Sequence, residues 1–251
     1  MARESKSTVL KRALQSSMRV GFLRAYKQVQ VDPHRYLDHV RRVHRLPIRS
    51  WDEMFMLGEE IVTPISNGLV SSSAKAAALE GAGLGLGGML TLVPDLGILS
   101  AITVRMLQKL SLIHGFGYST EDDAAELWLA AASAAGLDLG RDFIGKQAAE
   151  RVVPAIVDRV AVKFGTEVAE KWAARIVPLV SAGAGGALNY YFVRAWGRRA
   201  QKHFLARHRE IASRRALWAH SATVREISQR GIDPHAVPPK KPRSLPLLDP
   251  A

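Results

Sequence analysis

GAGLGLGGMLTLVPDLGILSAITV (residues 81–104) and IVPLVSAGAGGALNYYFV (residues 176–193) are the two stretches whose reading decides the fold. Both are apolar and crowded with glycine and alanine, and Asp95 is the only charged residue in either. The small residues recur four apart: Gly81/Gly85 and Gly83/Gly87 in the first stretch, Ala182/Gly186 and Gly183/Ala187 in the second. On a helix, residues four apart share a face, and small residues on that face let a second helix approach closely. Two such faces predict a core hairpin packed through Gly83, Gly87, Gly183 and Gly186. Pro94 interrupts the first stretch, and Asp95 after it has the residue type of a helix N-cap.

Neither stretch is a comfortable membrane span. A span takes about 20 apolar residues. An aspartate near the bilayer centre costs roughly 3 kcal/mol on insertion scales. The second stretch is dominated by glycine and alanine and contains Asn189. Gly83, Gly85 and Gly88 do satisfy G-x-G-x-x-G, but a dinucleotide turn must follow a strand and precede an acid about 20 residues on. Here LysAlaAlaAlaLeuGlu at 75–80 reads as helix, and Arg105 stands where the acid belongs.

Outward from these stretches the chain reads as all-α. Leu10, Leu14, Met18, Phe22, Tyr26 and Val29 recur at helical spacing, which predicts an amphipathic basic helix over 6–30. Asp32-Pro33 reads as an N-cap followed by proline at the first helical position. Leu46-Pro47 ends that second helix. Ser50 and Glu53 have the spacing of a capping box for a helix running toward Pro64. Gly115 and Gly117 end a helix after Lys109. Thr120 with Glu121, Asp122 and Asp123 begins another, which Gly136 stops. Helices at 140–152, 155–164 and 167–177 follow, with Pro154, Gly165 and Pro178 read as breaks. A long basic helix then reaches about Gln229. No segment carries the alternation that a strand requires. The expected architecture is a multi-helix domain over 47–230, a basic helical region over 1–46 and a proline-rich, disordered tail over 231–251.

Composition narrows the function. The 251 residues carry a formal charge of +12, with 12 Lys/Arg against 3 Asp/Glu over 1–49 and 13 against 4 over 194–251. Residues 50–193 hold 10 against 16, so two ends of +9 flank an acidic, apolar centre of −6. Cysteine is absent, which excludes disulfides, thiolate metal sites and cysteine nucleophiles. Charges recur through the N-terminal residues with no apolar signal-type run between them, so the expected address is cytoplasmic. Basic ends suit a polyanion. The residues expected to meet it are Arg194, Arg198, Arg199, Lys202, Arg207 and Arg209, with Phe192, Trp196 and Phe204 as an apolar foothold should their face be exposed.

No catalytic, cofactor or metal constellation stands out. G-x-S-x-G and H-E-x-x-H are missing. His34, His39 and His44 fall five apart, about 140° around a helix, so they cannot share one metal from a regular helix. The polar residues of interest in the apolar centre are Asp95, His114 and Asn189. Their convergence in one pocket would support the alternative reading, a hydrolase. A third reading, non-specific nucleic-acid binding through the basic helices, is disfavoured because a DNA binder has no use for two glycine-faced segments.

PIRSWDEM at 47–54, LVPDLG at 92–97, KLSLIHGFGY at 109–118 and IVPLVSAGAGGALNYYFVRAWGRRAQKHF at 176–204 resemble the EcsC family of bacterial proteins. The resemblance covers about 47–210 and leaves the N-terminal helix and the tail outside. It implies a helical protein with no agreed catalytic set. The family's namesake is encoded beside an ABC transporter, so the resemblance also implies a membrane-protein partner of that kind. The combined expectation is a protein held peripherally at the inner membrane by an anionic surface, without a cofactor.

Overall fold

The structure is a computed structural model of the chain, and it describes residues 6–84, 92–117, 121–137, 149–173 and 182–229. It is all-α, with no strand among these residues. Among the described residues seven α-helices follow in order: α1 (Lys6–Gln28), α2 (Pro33–His44), α3 (Glu59–Leu84), α4 (Leu92–Ile113), α5 (Glu121–Ala134), α6 (Ala149–Ala173) and α7 (Ala182–Gln229). A 3-10 turn at Trp51–Met56 joins α2 to α3. The chain forms two compact units, Met1–Arg209 and Glu210–Ala251.

Local chemistry explains several boundaries. Asp32 Oδ1 accepts from the amides of His34 (2.9 Å) and Arg35 (3.1 Å), so it caps α2 as its residue type demands. Gly115 and Gly136 adopt positive φ, +91° and +69°, just past α4 and α5. After each, an amide reaches back to the last turn: Phe116 to the Ser111 carbonyl, Leu137 to the Ala132 carbonyl, both at 2.9 Å. That is the Schellman closure, and glycine enters its left-handed residue without a Cβ penalty. Ser50 makes no side-chain cap bond, and the Glu53 carboxylate accepts from the Arg49 amide instead (3.0 Å). The expected capping box is therefore not formed, and the segment is a 3-10 turn rather than a helix.

Proline and glycine break the chain less than their types suggest. Pro94 lies in the first turn of α4, where its missing amide hydrogen has no intrahelical partner to lose. Asp95 is accordingly inside the helix and is not its N-cap, and the stretch 81–104 is the end of α3 and the start of α4. Pro64 and Pro154 each occupy the sixth position of their helices, so the ring meets a first-turn carbonyl that can tilt aside. Gly165 lies inside α6 and does not divide it: a Cβ there would come within 2.6 Å of the Gln15 carbonyl of α1. It is a contact glycine between two helices.

The first unit's core is aromatic at its centre. Phe164 of α6 stands 4.8 Å from Phe22 of α1, 4.9 Å from Phe192 and 5.0 Å from Trp196 of α7, between ring centroids. Trp128 of α5 meets Phe22 edge-on at 6.1 Å. Phe22, Trp128, Phe164 and Trp196 are all at most 2% exposed. Burying one such side chain contributes about 1.5–3 kcal/mol, so this cluster binds α1, α5, α6 and α7 together. The basic N-terminal helix is thus part of the packed unit.

The end of α3 and the start of α7 cross in near backbone contact. A Cβ on Gly186 would lie 2.7 Å from the Ala78 carbonyl, and one on Gly81 3.1 Å from the Gly185 carbonyl. Gly83 and Gly183 lie on these helices, but their surroundings, and Gly87 altogether, fall outside the described residues, as do Thr120 and the tail 231–251.

Candidate anion-binding surface

Within the first unit, α7 has one buried and one exposed face. Leu188, Phe192, Val193, Trp196, Ala200, Phe204 and His208 are buried, and Tyr191, Arg198, Arg199, Lys202 and Arg209 are exposed. At about 100° per residue Tyr191, Arg198, Lys202 and Arg209 cluster on the side of the helix away from the buried set, whereas Arg199 falls close to Phe192 and Trp196. Phe192, Trp196 and Phe204 are at most 3% exposed, so they belong to the core and offer no foothold to a membrane. Their spacing marked an apolar face correctly, but the face is covered by the rest of the bundle.

Four of the six cations expected on α7 are tied within the protein. Arg194 donates to the Tyr190 hydroxyl and stacks on its ring. Arg199 pairs with Glu167 at 2.9 Å, and the same carboxylate accepts from the Trp196 indole at 3.0 Å. Arg207 pairs with Glu126 at 3.1 Å, and His203 approaches that carboxylate at 3.3 Å. Burial pushes the Glu126 carboxyl up, but His203 and Arg207 outweigh it and hold the group below its ordinary range. Arg209 pairs with Glu59, whose carboxyl is lowered by that hydrogen bond.

Arg198 and Lys202 are different. They lie one turn apart on the exposed face and form no ion pair among the described residues. Arg42 and Arg45 at the end of α2, and Arg24 and Lys27 at the end of α1, share this state: exposed, with no carboxylate partner among the described residues. Charge counting along the N-terminal region pointed toward these four, although it could not single them out.

The polar residues of the apolar centre do not converge. His114, just past the end of α4, is fully buried. Its Nδ1 donates to the Leu110 carbonyl (2.8 Å), its ring stacks on Phe204 (5.7 Å), and its Nε2 has no hydrogen-bond partner among the described residues. Burial pushes its pKa down to about 4. His208 is buried beside it, with Nδ1 3.0 Å from the His114 carbonyl. Asn189, also buried, packs beside Gly81. It precedes His114's partner Phe204 by 15 residues, or about 22 Å of helix. From Asp95 to Ile113, the residue before His114, α4 rises about 27 Å. One pocket cannot hold all three, so the convergence on which the alternative hydrolase reading depended is not found. Among the described residues no group of three or more His, Asp or Glu is placed to hold a metal ion. No helix among them is long and apolar enough to cross a membrane.

No curated protein and no solved structure matches this chain. A family model does match, over residues 4–208. The match takes in α1, which the sequence resemblance had left outside, and it stops at the edge of the first compact unit. The match covers most of the chain, and the chain belongs to the EcsC protein family.

Proposed function

We propose that the protein is a non-catalytic helical module that docks peripherally on an anionic membrane surface from the cytoplasmic side. One observation carries this reading: four acids are taken up by distant arginines while a set of exposed cations is left over. Glu59, Glu126, Glu167 and Asp158 each hold an arginine from a distant part of the chain. Arg24, Lys27, Arg42, Arg45, Arg198 and Lys202 remain exposed without a carboxylate among the described residues. Each basic residue near an anionic surface contributes about 1 kcal/mol, and salt screens that contribution. In the second unit, Leu217 and Trp218 are 70% exposed and follow Arg214 and Arg215, the composition of an interfacial helix. Beyond lipid, the family resemblance suggests a role as accessory to a transport or secretion system, with an ABC transporter as the kind of partner.

Flotation with neutral and anionic liposomes tests the lipid step. Losing Arg198 and Lys202 to glutamine removes two charges, about 2 kcal/mol, so affinity for anionic vesicles falls roughly 30-fold. Arg199→Gln, which removes a cation already paired with Glu167, changes binding far less. Equal binding to neutral vesicles, or an unchanged Arg198→Gln/Lys202→Gln protein, refutes the electrostatic mechanism.

A further inference from the structure

Where α2, α3 and α4 meet, a separate hollow of about 230 Å³ opens to the surface. Tyr36, His39, Val40 and His44 of α2 line it, together with Ile65, Gly68, Leu69 and Ser72 of α3 and Lys109 of α4. Its floor is apolar, with Val40 and Ile65 buried. Its polar groups are one ammonium, two imidazoles, a phenol and a hydroxyl, and none of its lining residues is acidic. The helical period explains this: Asp38, the only acid of α2, lies about 160° or more around the helix from Tyr36 and Val40 and lines a different groove with Arg41 and Arg42.

Lys109 is the informative residue. It is half-buried, its Nζ stands 4.9 Å from the centroid of the Tyr36 ring, and it forms no ion pair among the described residues. Burial, and then the nearby Arg105, push its pKa down. A cation partly withdrawn from water and without a countercharge among the described residues gains from an anion that enters. The Tyr36 ring is fixed by Trp51 (5.5 Å, 28°) and His39 (6.2 Å, 18°), and Trp51 is itself anchored through its indole to the Pro33 carbonyl at 3.0 Å. Burial holds the Tyr36 phenol well above its ordinary range, so it remains a hydroxyl donor. At Gly68 an added Cβ would meet nothing within 4 Å, which marks the open side of the hollow.

We propose that this hollow binds a small phosphate ester, with Lys109 as the countercharge and Tyr36, His39 and His44 as further donors. Its volume equals that of about eight water molecules, enough for a phosphate and a short polar body and too little for a nucleotide. A phosphomonoester has three terminal oxygens to share among these donors, where a carboxylate has two. The ester can be free or can be the headgroup of a lipid. The site is independent of the exposed cations on α7.

The test titrates the full chain with glycerol 3-phosphate while the imidazole resonances of His39 and His44 are followed. Two variants accompany it, Lys109→Gln and Gly68→Leu. The second places its Cβ where nothing lies within 4 Å and puts bulk on the open side of the hollow. Saturable shifts are expected in the parent, weakened about tenfold or more in both variants, the loss of one charge-assisted contact. Vesicles of matched surface charge containing phosphatidic acid or phosphatidylglycerol separate the sources. Preference for phosphatidic acid, abolished by Gly68→Leu, assigns a lipid headgroup. Response to the free ester without that preference assigns a soluble ligand. Arg198→Gln/Lys202→Gln should lower binding to both vesicle types and leave the ester titration unchanged, so failure of the docking reading is distinguishable. No saturable shift with either phosphate source, or shifts undiminished in both variants, overturns the proposal.

Discussion

The same substitution, glycine to alanine, should have opposite effects at two positions on packed helices. At Gly186 the new Cβ would lie 2.7 Å from the Ala78 carbonyl and 3.3 Å from the Ala82 Cβ. The nearer atom is helical backbone, which cannot swing aside as a side chain can, so α3 and α7 must separate. Overpacking of this kind costs about 1–3 kcal/mol. At Gly68 the new Cβ meets nothing within 4 Å. Alanine there gains only helix propensity and reduced freedom of the unfolded chain, about 0.5–1 kcal/mol in favour of folding. That gain applies at Gly186 as well, so the net effect there is destabilisation of up to about 2 kcal/mol. The difference between the variants cancels the unfolded-state contribution and isolates the helix contact, at about 1–3 kcal/mol. Urea denaturation with unchanged m values measures it directly. In melting experiments each kcal/mol corresponds to about 2–4 °C for a chain of this size. If Gly186→Ala stabilises as much as Gly68→Ala, the close approach of α3 and α7 is wrong.

Gly115→Ala should be the more damaging glycine change. It places a side chain at φ +91° and a Cβ 2.6 Å from the Phe55 ring, so a loss of about 2 kcal/mol or more is expected in the same urea assay. The buried His114 sets a pH dependence with a definite sign. Its pKa of about 4 in the folded protein lies below the ordinary 6.5, so the unfolded chain takes up the proton first. Stability should be unaffected by this group above about pH 6.5, fall as pH drops toward 4, and level off below. The total is on the order of 3 kcal/mol. His114→Phe, which keeps a ring against Phe204, should flatten that slope, and an unchanged slope between pH 6.5 and 4 would refute the assignment.

The helical class, the amphipathic α1, the Asp32-Pro33 start of α2 and the glycine stops of α4 and α5 were legible in the sequence. Each rests on groups within one or two turns of one another, such as a carboxylate two residues from the amide it caps. Tertiary structure decided the rest. A proline breaks a helix or rides in its first turns according to where that helix begins, which for Pro94 and Pro154 is set by packing. Gly165 reads as a breaker by type, but the α1 backbone beside it makes it a contact residue. Phe192, Trp196 and Phe204 show a correct apolar period that cannot say whether protein or lipid covers it. The arginines of α7 looked alike, yet Glu167, Glu126 and Glu59 lie 32, 81 and 150 residues from Arg199, Arg207 and Arg209. Only folding brings those charges together, and it therefore decides which cations, Arg198 and Lys202 among them, are left for a partner.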